Sequence, residues 1–176
     1  FNKVSFFQNE DFNVSQIILS KEKIIEFNNH LLLFFTGISR IASKIAKAQI
    51  RNIKNKNLEL NEMKSMVDEG IKLLASKNSK LDEFGLLLNE SWKIKKSLSN
   101  DISNTKIDHL YDQGLKNGAL GGKILGAGGG GFILFFVPPK KQKKFIEIFK
   151  DVVHVPFRFE NEGSKVIFCE NDLEKF

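Results

Sequence analysis

The spacing of apolar residues changes twice along the chain, separating strand-rich ends from a helical middle. FNKVSFF and VSQIIL are rich in β-formers and flank the polar QNEDFN, which predicts a hairpin. SKEKIIEFNNH follows as a short amphipathic helix with Ser20 as its N-cap. LLLFFTG, residues 31–37, is an unbroken apolar run closed by glycine, the pattern of a strand buried on both faces. From Ser39 the period lengthens: Ile41, Ile45 and Ala48 predict a helix over residues 39–53.

Three more helical stripes follow. Met63, Met66, Val67, Ile71 and Leu74 form one, and Leu81, Phe84, Leu88, Trp92 and the stem of Lys95 form another. Ile107, Leu110, Tyr111 and Leu115 form the third, capped by Thr105 or Asn104 and stopped by Gly118. Strands then return as KILGA and FILFFV, and Pro138-Pro139 opens a helix running through KKFIEIFK. VVHVPFRF and SKVIFCE read as closing strands. Strands, a helical block, then strands with one helix is an α+β order, and no repeat or long linker divides it.

Composition changes this picture little. With 41% hydrophobic and 27% charged residues the chain is an ordinary globule. Its 27 basic and 21 acidic residues give a formal charge of +6, mild and scattered; no nucleic-acid partner is expected. KKQKK, residues 140–144, reads as a solvated helix start, and Lys95 and Lys96 as side chains snorkelling from the Trp92 face. Cys169 is the single cysteine, which excludes an intrachain disulfide and points to an inert buried thiol in a reducing, cytoplasmic compartment. His30, His109 and His154 have no metal-type spacing. The longest apolar run, FILFFVP, is far below the roughly 20 residues of a membrane span, so no membrane partner is expected either. The chain opens on Phe1 inside a strand pattern, as expected of a piece of something longer.

Glycine crowds residues 121–131, and there the chemistry must be sought. Gly126, Gly128 and Gly131 formally satisfy G-x-G-x-x-G, but that fingerprint needs a helix next, whose N-terminus holds a pyrophosphate. FILFFV follows instead, and Asp151, where a ribose-binding carboxylate would be sought, ends a helical segment rather than a second strand. A Walker loop is excluded because no Ser or Thr follows Lys123. What remains is strand, glycine loop, strand. Gly128 to Gly131 cost more backbone entropy than a plain hairpin needs, though a merely tight turn stays open. The alternative is a backbone that must approach another backbone closely or aim several amides at one anion.

GALGGKILGAGGGGFILFF resembles the third, C-terminal signature of the GHMP kinases, which phosphorylate small molecules such as galactose, homoserine and mevalonate. LLLFFTGISRIASKIAKAQ, LDEFGLLLNESWKIKKSLSNDISNTKIDHLY and VPPKKQKKF are similar to the D-glycero-D-manno-heptose 7-phosphate kinase branch, related to fucokinase domains. The resemblance runs in order through nearly the whole chain. It implies a ferredoxin-like GHMP C-terminal domain with an added helical block over residues 39–176, and residues 1–38 completing a junction with an N-terminal half. That half would carry the P-x-x-x-G-L-G-S-S phosphate loop, the general base and the metal-coordinating carboxylate; none of these motifs occurs here.

The implied activity is ATP- and Mg²⁺-dependent phosphorylation of the anomeric hydroxyl of a heptose 7-phosphate, on the way to nucleotide-activated heptose for surface polysaccharide. Gly126, Ala127, Gly128, Gly129, Gly130 and Gly131 would line the nucleotide phosphate and sugar site. Thr36, Arg40 and Lys123 are candidate substrate contacts, each with a plain structural alternative: a cap, a paired or solvated guanidinium, a lysine on the other sheet face. No residue here is assigned as base or metal ligand. The chain alone is expected to be inactive, and to self-associate through a surface its partner half would cover. The rival readings are a kinase for another sugar such as fucose, and a non-catalytic ferredoxin-like module whose glycine hairpin binds a protein or a small anion.

Overall fold

A computed structural model describes residues 1–76, 79–160 and 162–168. Two strands, β1 (Asn2–Phe6) and β2 (Phe12–Gln16), form the expected hairpin as a separate sheet. Then come α1 (Lys21–Asn28), β3 (Leu31–Phe35), α2 (Ala42–Asn52) with a short 3-10 turn, α3 (Asn57–Ala75), α4 (Leu81–Ser97) and α5 (Thr105–Lys116). The chain continues through β4 (Gly121–Ile124), β5 (Phe132–Phe136), α6 (Pro139–Ile148) and β6 (Val153–His154).

The main sheet runs β4-β5-β3-β6, every pair antiparallel. Counted from β3 onwards, the strands follow a β-helices-ββ-α-β path with the first and third at the centre, the ferredoxin-like arrangement. LLLF, residues 31–34, is covered on both faces, while Phe35 at the strand's end is exposed. Leu32 and Phe34 of β3 and Ile133 and Phe135 of β5 face one core, with Ile107 and Tyr111 of α5 and Phe145 of α6. Leu31 and Phe136 face the other, with Phe27 of α1, Leu74 of α3 and Leu81 of α4. Alternate side chains of one strand thus fill two cores, as the two-residue period of a strand requires.

Caps follow the sequence closely. The Ser20 hydroxyl accepts from the Lys23 amide at 3.2 Å. Of the two candidates before α5 it is Asn104 whose Oδ1 accepts from the Ile107 amide, at 3.1 Å. The α2 helix begins at Ala42, not Ser39, without a side-chain cap. His30 is buried, stacked on Phe136 and bonded through Nδ1 to the Glu26 carbonyl at 2.8 Å.

Three expectations change. The closing strand VVHVPFRF shrinks to Val153–His154, because the Val155 amide makes the last bond to β3 and Pro156 has no amide to continue. Phe157 and Phe159 turn instead onto the second core, and the Asn28 side chain accepts from the Phe159 amide at 2.9 Å. Residues 164–168 of the expected strand SKVIFCE form no strand; Val166, Ile167 and Phe168 are exposed. The remainder, including Cys169, lies outside the described residues. Lastly, the stripe on α3 is not sealed: with α4 it lines an apolar groove of about 240 Å³.

The helix α4 approaches the edge strand β4 with almost no gap. A methyl group added at Gly121 would stand 2.1 Å from the Gly85 carbonyl oxygen and 2.7 Å from the Asn89 nitrogen, both backbone atoms of α4. One added at Gly85 would meet the Phe136 ring at 2.6 Å. Gly121→Ala is therefore expected to destabilise the fold by about 1–3 kcal/mol in urea unfolding, the cost of overpacking a site whose neighbours are backbone. Gly163→Ala, with nothing near, should stay within about 0.5 kcal/mol. Equal midpoints for the two variants would refute the close approach.

Candidate functional site

The glycine loop joins β4 to β5 at one end of the sheet. Gly126, Gly128, Gly129 and Gly131 all have positive φ, between 73° and 110°, so the path depends on glycine. At Gly128 the reason is also spatial: a Cβ there would lie 2.7 Å from the Ile102 carbonyl. The Gly129 amide donates to that carbonyl at 2.8 Å, and the Gly131 amide to Ile38 at 2.9 Å. The close-approach explanation of the glycines therefore holds, and a plain two-residue turn does not.

What surrounds the loop is unusually one-sided. Its carbonyls are taken by side-chain donors from four different segments. Arg40, between β3 and α2, donates from Nε to Gly128 at 2.5 Å and from a terminal nitrogen to Leu125 at 3.4 Å. Gln49 of α2 donates to Ala127 at 2.7 Å, and Lys95 of α4 to Gly126 at 2.6 Å. Asn104 reaches Gly129 at 3.4 Å, and the Thr36 hydroxyl donates to Gly131 at 2.8 Å. Meanwhile the amides of Gly126, Ala127, Gly128 and Gly130 have no acceptor within the chain among the described residues. A loop whose acceptors are spent and whose donors are open suits an anion.

The charge agrees. Lys123 and Arg40 both lie close enough to Lys95 to act on its ammonium, and among the described residues none of the three has a carboxylate partner. Burial, with Lys123 and then Arg40 nearby, holds the Lys95 ammonium at about 8, below its ordinary 10.5. Burial likewise lowers Lys123, whose ammonium makes no hydrogen bond within the described chain. Burial in the core raises the Tyr111 phenol, which donates to Asn89 at 2.7 Å. The donors around the loop are cationic and amide groups, a set that fits phosphate oxygens and not a metal ion. The apolar α3–α4 groove has no charged lining residue to offer a phosphorylated ligand.

All the residues picked out in the sequence converge here, with their roles altered. Arg40 stands ahead of α2, not within it. Thr36 caps no helix: besides its bond to Gly131, its oxygen accepts from the Ile38 amide at 3.3 Å. Lys95 does not snorkel from the Trp92 face; that description holds for Lys96, 6.0 Å from the Trp92 ring centre and paired with Asp108 at 2.9 Å. Lys95, Gln49 and Asn104 were not legible as site residues. Neither Lys95 nor Lys96 has an acidic residue three or four positions away, so the sequence does not tell them apart.

The depressed Lys95 ammonium has a measurable sign. Between about pH 8 and 10.5 the unfolded chain keeps this proton and the folded chain has lost it, so this group's contribution to stability rises with pH across that window. Below about 8 the folded state bears the full desolvation cost. Unfolding free energy should climb less steeply with pH in Lys95→Met than in wild type over that window. Identical slopes in chemical denaturation would mean Lys95 is freely solvated.

Comparison with known proteins places this geometry. Residues 71–154 match the family described as GHMP kinases C terminal. The chain is 30% identical over 129 residues to the D-glycero-alpha-D-manno-heptose 7-phosphate kinase of Campylobacter jejuni, covering 73% of this chain and 38% of that protein. It is also 30% identical over 119 residues to the bifunctional fucokinase/GDP-fucose pyrophosphorylase of Arabidopsis thaliana, covering 65% of this chain and 11% of that one. Among solved structures, the Methanococcus jannaschii mevalonate kinase superposes with a TM-score of 0.66 at 25% identity, over 88% of this chain and 46% of its own. The chain thus spans less than half the length of each of these relatives. With its ferredoxin-like sheet and its glycine loop between β4 and β5, the chain carries a GHMP kinase C-terminal domain.

Proposed function

We propose that this chain is the C-terminal part of an ATP-dependent sugar kinase whose acceptor is the anomeric hydroxyl of D-glycero-D-manno-heptose 7-phosphate. The observation that carries the reading is the glycine loop itself, with open amides at Gly126, Ala127, Gly128 and Gly130 and three cations around it that have no carboxylate partner among the described residues. The likeness to a heptose 7-phosphate kinase supports the acceptor.

Phosphoryl transfer asks a protein for position and charge stabilisation more than for covalent chemistry. The acceptor oxygen bonds to the γ-phosphorus as the bond to the bridging oxygen of ADP breaks, and the hydroxyl proton passes to a base. This chain supplies the charge: loop amides and cations facing the equatorial phosphate oxygens, with Thr36 and Arg40 fixing the loop from the β3 side. The base, the main nucleotide loop and the ligands of Mg²⁺ are assigned to a preceding half. Mg²⁺ would enter with the nucleotide's phosphates, because the groups around this loop are cationic.

Residues 1–38 would make the junction to that half. Val4 pairs with Val14 and Phe6 with Phe12 across the hairpin, an apolar row in which Phe6 is 80% and Phe12 65% exposed. Such a row on an isolated hairpin needs a cover. The 176-residue chain alone is expected to self-associate in analytical ultracentrifugation, and Phe6→Ser with Phe12→Ser to reduce this. Monomeric wild type at high concentration would oppose the junction.

The reaction is tested by ATP-to-sugar phosphotransfer on D-glycero-D-manno-heptose 7-phosphate, with the chain alone and with a GHMP N-terminal half supplied from its own gene. Transfer only in the paired sample is expected. Turnover by the chain alone would overturn the division of labour. Silence in both, with both halves folded, would sink the heptose assignment. Fucose belongs in the same assay, because the likeness to a fucokinase favours it as the second reading.

A further inference from the structure

Two kinds of cation meet at the glycine loop, and the difference between them is informative. Arg40 and Lys95 have given donors to the loop: Arg40 to Gly128 and Leu125, Lys95 to Gly126. Lys123, on β4 three residues before Gly126, has no hydrogen bond and no carboxylate among the described residues, although it is half-buried. A desolvated ammonium with no partner is costly, and so is one forced beside other cations. Each cation must therefore be held by something. For Lys95 and Arg40 that is the loop's carbonyls; for Lys123 nothing in the described chain fills the role.

Resting on the reading of the loop as a phosphate site, we propose a division of labour: Lys95 is a positioning residue that holds the loop by the Gly126 carbonyl, and Lys123 is the cation that touches the phosphate. Lys95 comes from the last turn of α4, whose path along β4 is set where Asn89 abuts Gly121. From that point the helix and the strand run the same way, so its ammonium arrives at Gly126, the first loop residue after the sheet's end. Tying the carbonyls of Gly126 and Gly128 with charged donors leaves the neighbouring amides as the open groups of the loop. Lys123 is near enough to act on the Lys95 ammonium, itself 2.6 Å from the Gly126 carbonyl, so a phosphate held against those amides would add the negative charge that relieves this crowding of cations. The lowered proton affinity of Lys95 fits a cluster that awaits an anion. The ligand class is a phosphomonoester or the terminal phosphate of a polyphosphate.

The test uses the 176-residue chain labelled with ¹⁵N, titrated with inorganic tripolyphosphate and, separately, with mannose 6-phosphate. In wild type the Gly126, Ala127, Gly128 and Gly130 amides are expected to shift and saturate. Lys123→Met should leave the ligand-free spectrum of the loop unchanged and weaken binding about tenfold, the worth of one charge-assisted hydrogen bond. Lys95→Met should move the loop amides before any ligand is added and weaken binding as well, with Lys95→Arg restoring both. Tighter binding of tripolyphosphate would assign the subsite to the transferred phosphate, and tighter binding of mannose 6-phosphate to the acceptor's own. Wild-type affinity in Lys123→Met, or an undisturbed ligand-free loop in Lys95→Met, would overturn the division of labour while leaving the phosphate site standing. If neither probe shifts the wild-type loop, the phosphate reading fails and the proposal with it.

Discussion

The structure turns on the contact between α4 and β4. Two backbones meet where Gly121 and Gly85 have no side chains, and a single methyl group at Gly121 would overlap a carbonyl oxygen of the helix. Close packing of this kind leaves no freedom to slide: interiors are as dense as organic crystals, and a helix seated on a strand by its backbone has one register. That register brings the end of α4 level with the start of the glycine loop. It also places Trp92 in one core while Leu81 fills the other, so one helix closes the sheet's edge and joins both faces.

Electrostatics at the loop follows from this placement. Six loop carbonyls, from Leu125 to Gly131, accept from side chains on four segments, and the loop is thereby built as a cross-linked cap on the sheet. Hydrogen bonds from charged donors are stronger than neutral ones, and here two of the donors are charged. The result is a concentration of positive charge with no carboxylate paired to it among the described residues, which a folded protein tolerates only at a cost. Other lysines of the chain find acids, among them Lys56 with Glu59 and Lys96 with Asp108. Among the described residues, Lys95 and Lys123 at the loop do not, nor does Arg40. A cluster that folding leaves uncompensated is one that a bound anion would stabilise.

The hairpin and the closing segment illustrate a different constraint. A strand needs a neighbour, and β-propensity alone does not supply one. Residues 2–6 and 12–16 pair because a short polar turn brings them together, the second strand starting at Phe12 and ending at Gln16 rather than running through Leu19. VVHVPFRF begins to pair with β3 and stops at a proline, after which the phenylalanines find a better place on the second core. Residues 164–168 have the composition of a strand, yet they pair with no strand of the described structure.

Much of the architecture was determined by the sequence itself. The switch from period-two to longer spacing located the strands and helices, because burial of one helix face or two strand faces imposes those periods directly. Ser20 was legible as a cap, and Asn104 as one of two candidates with Thr105, because cap chemistry is local; the glycine loop was legible because most of its positions have a positive φ that favours glycine. Only the tertiary structure decided which side chains serve that loop. Lys95 and Lys96 are adjacent, identical and equally lacking a helical acid partner. About 100° of helix rotation sends one to the Gly126 carbonyl and the other over the Trp92 ring. That outcome rests on how α4 is seated against β4, a contact between residues far apart in the chain, and no local pattern encodes it.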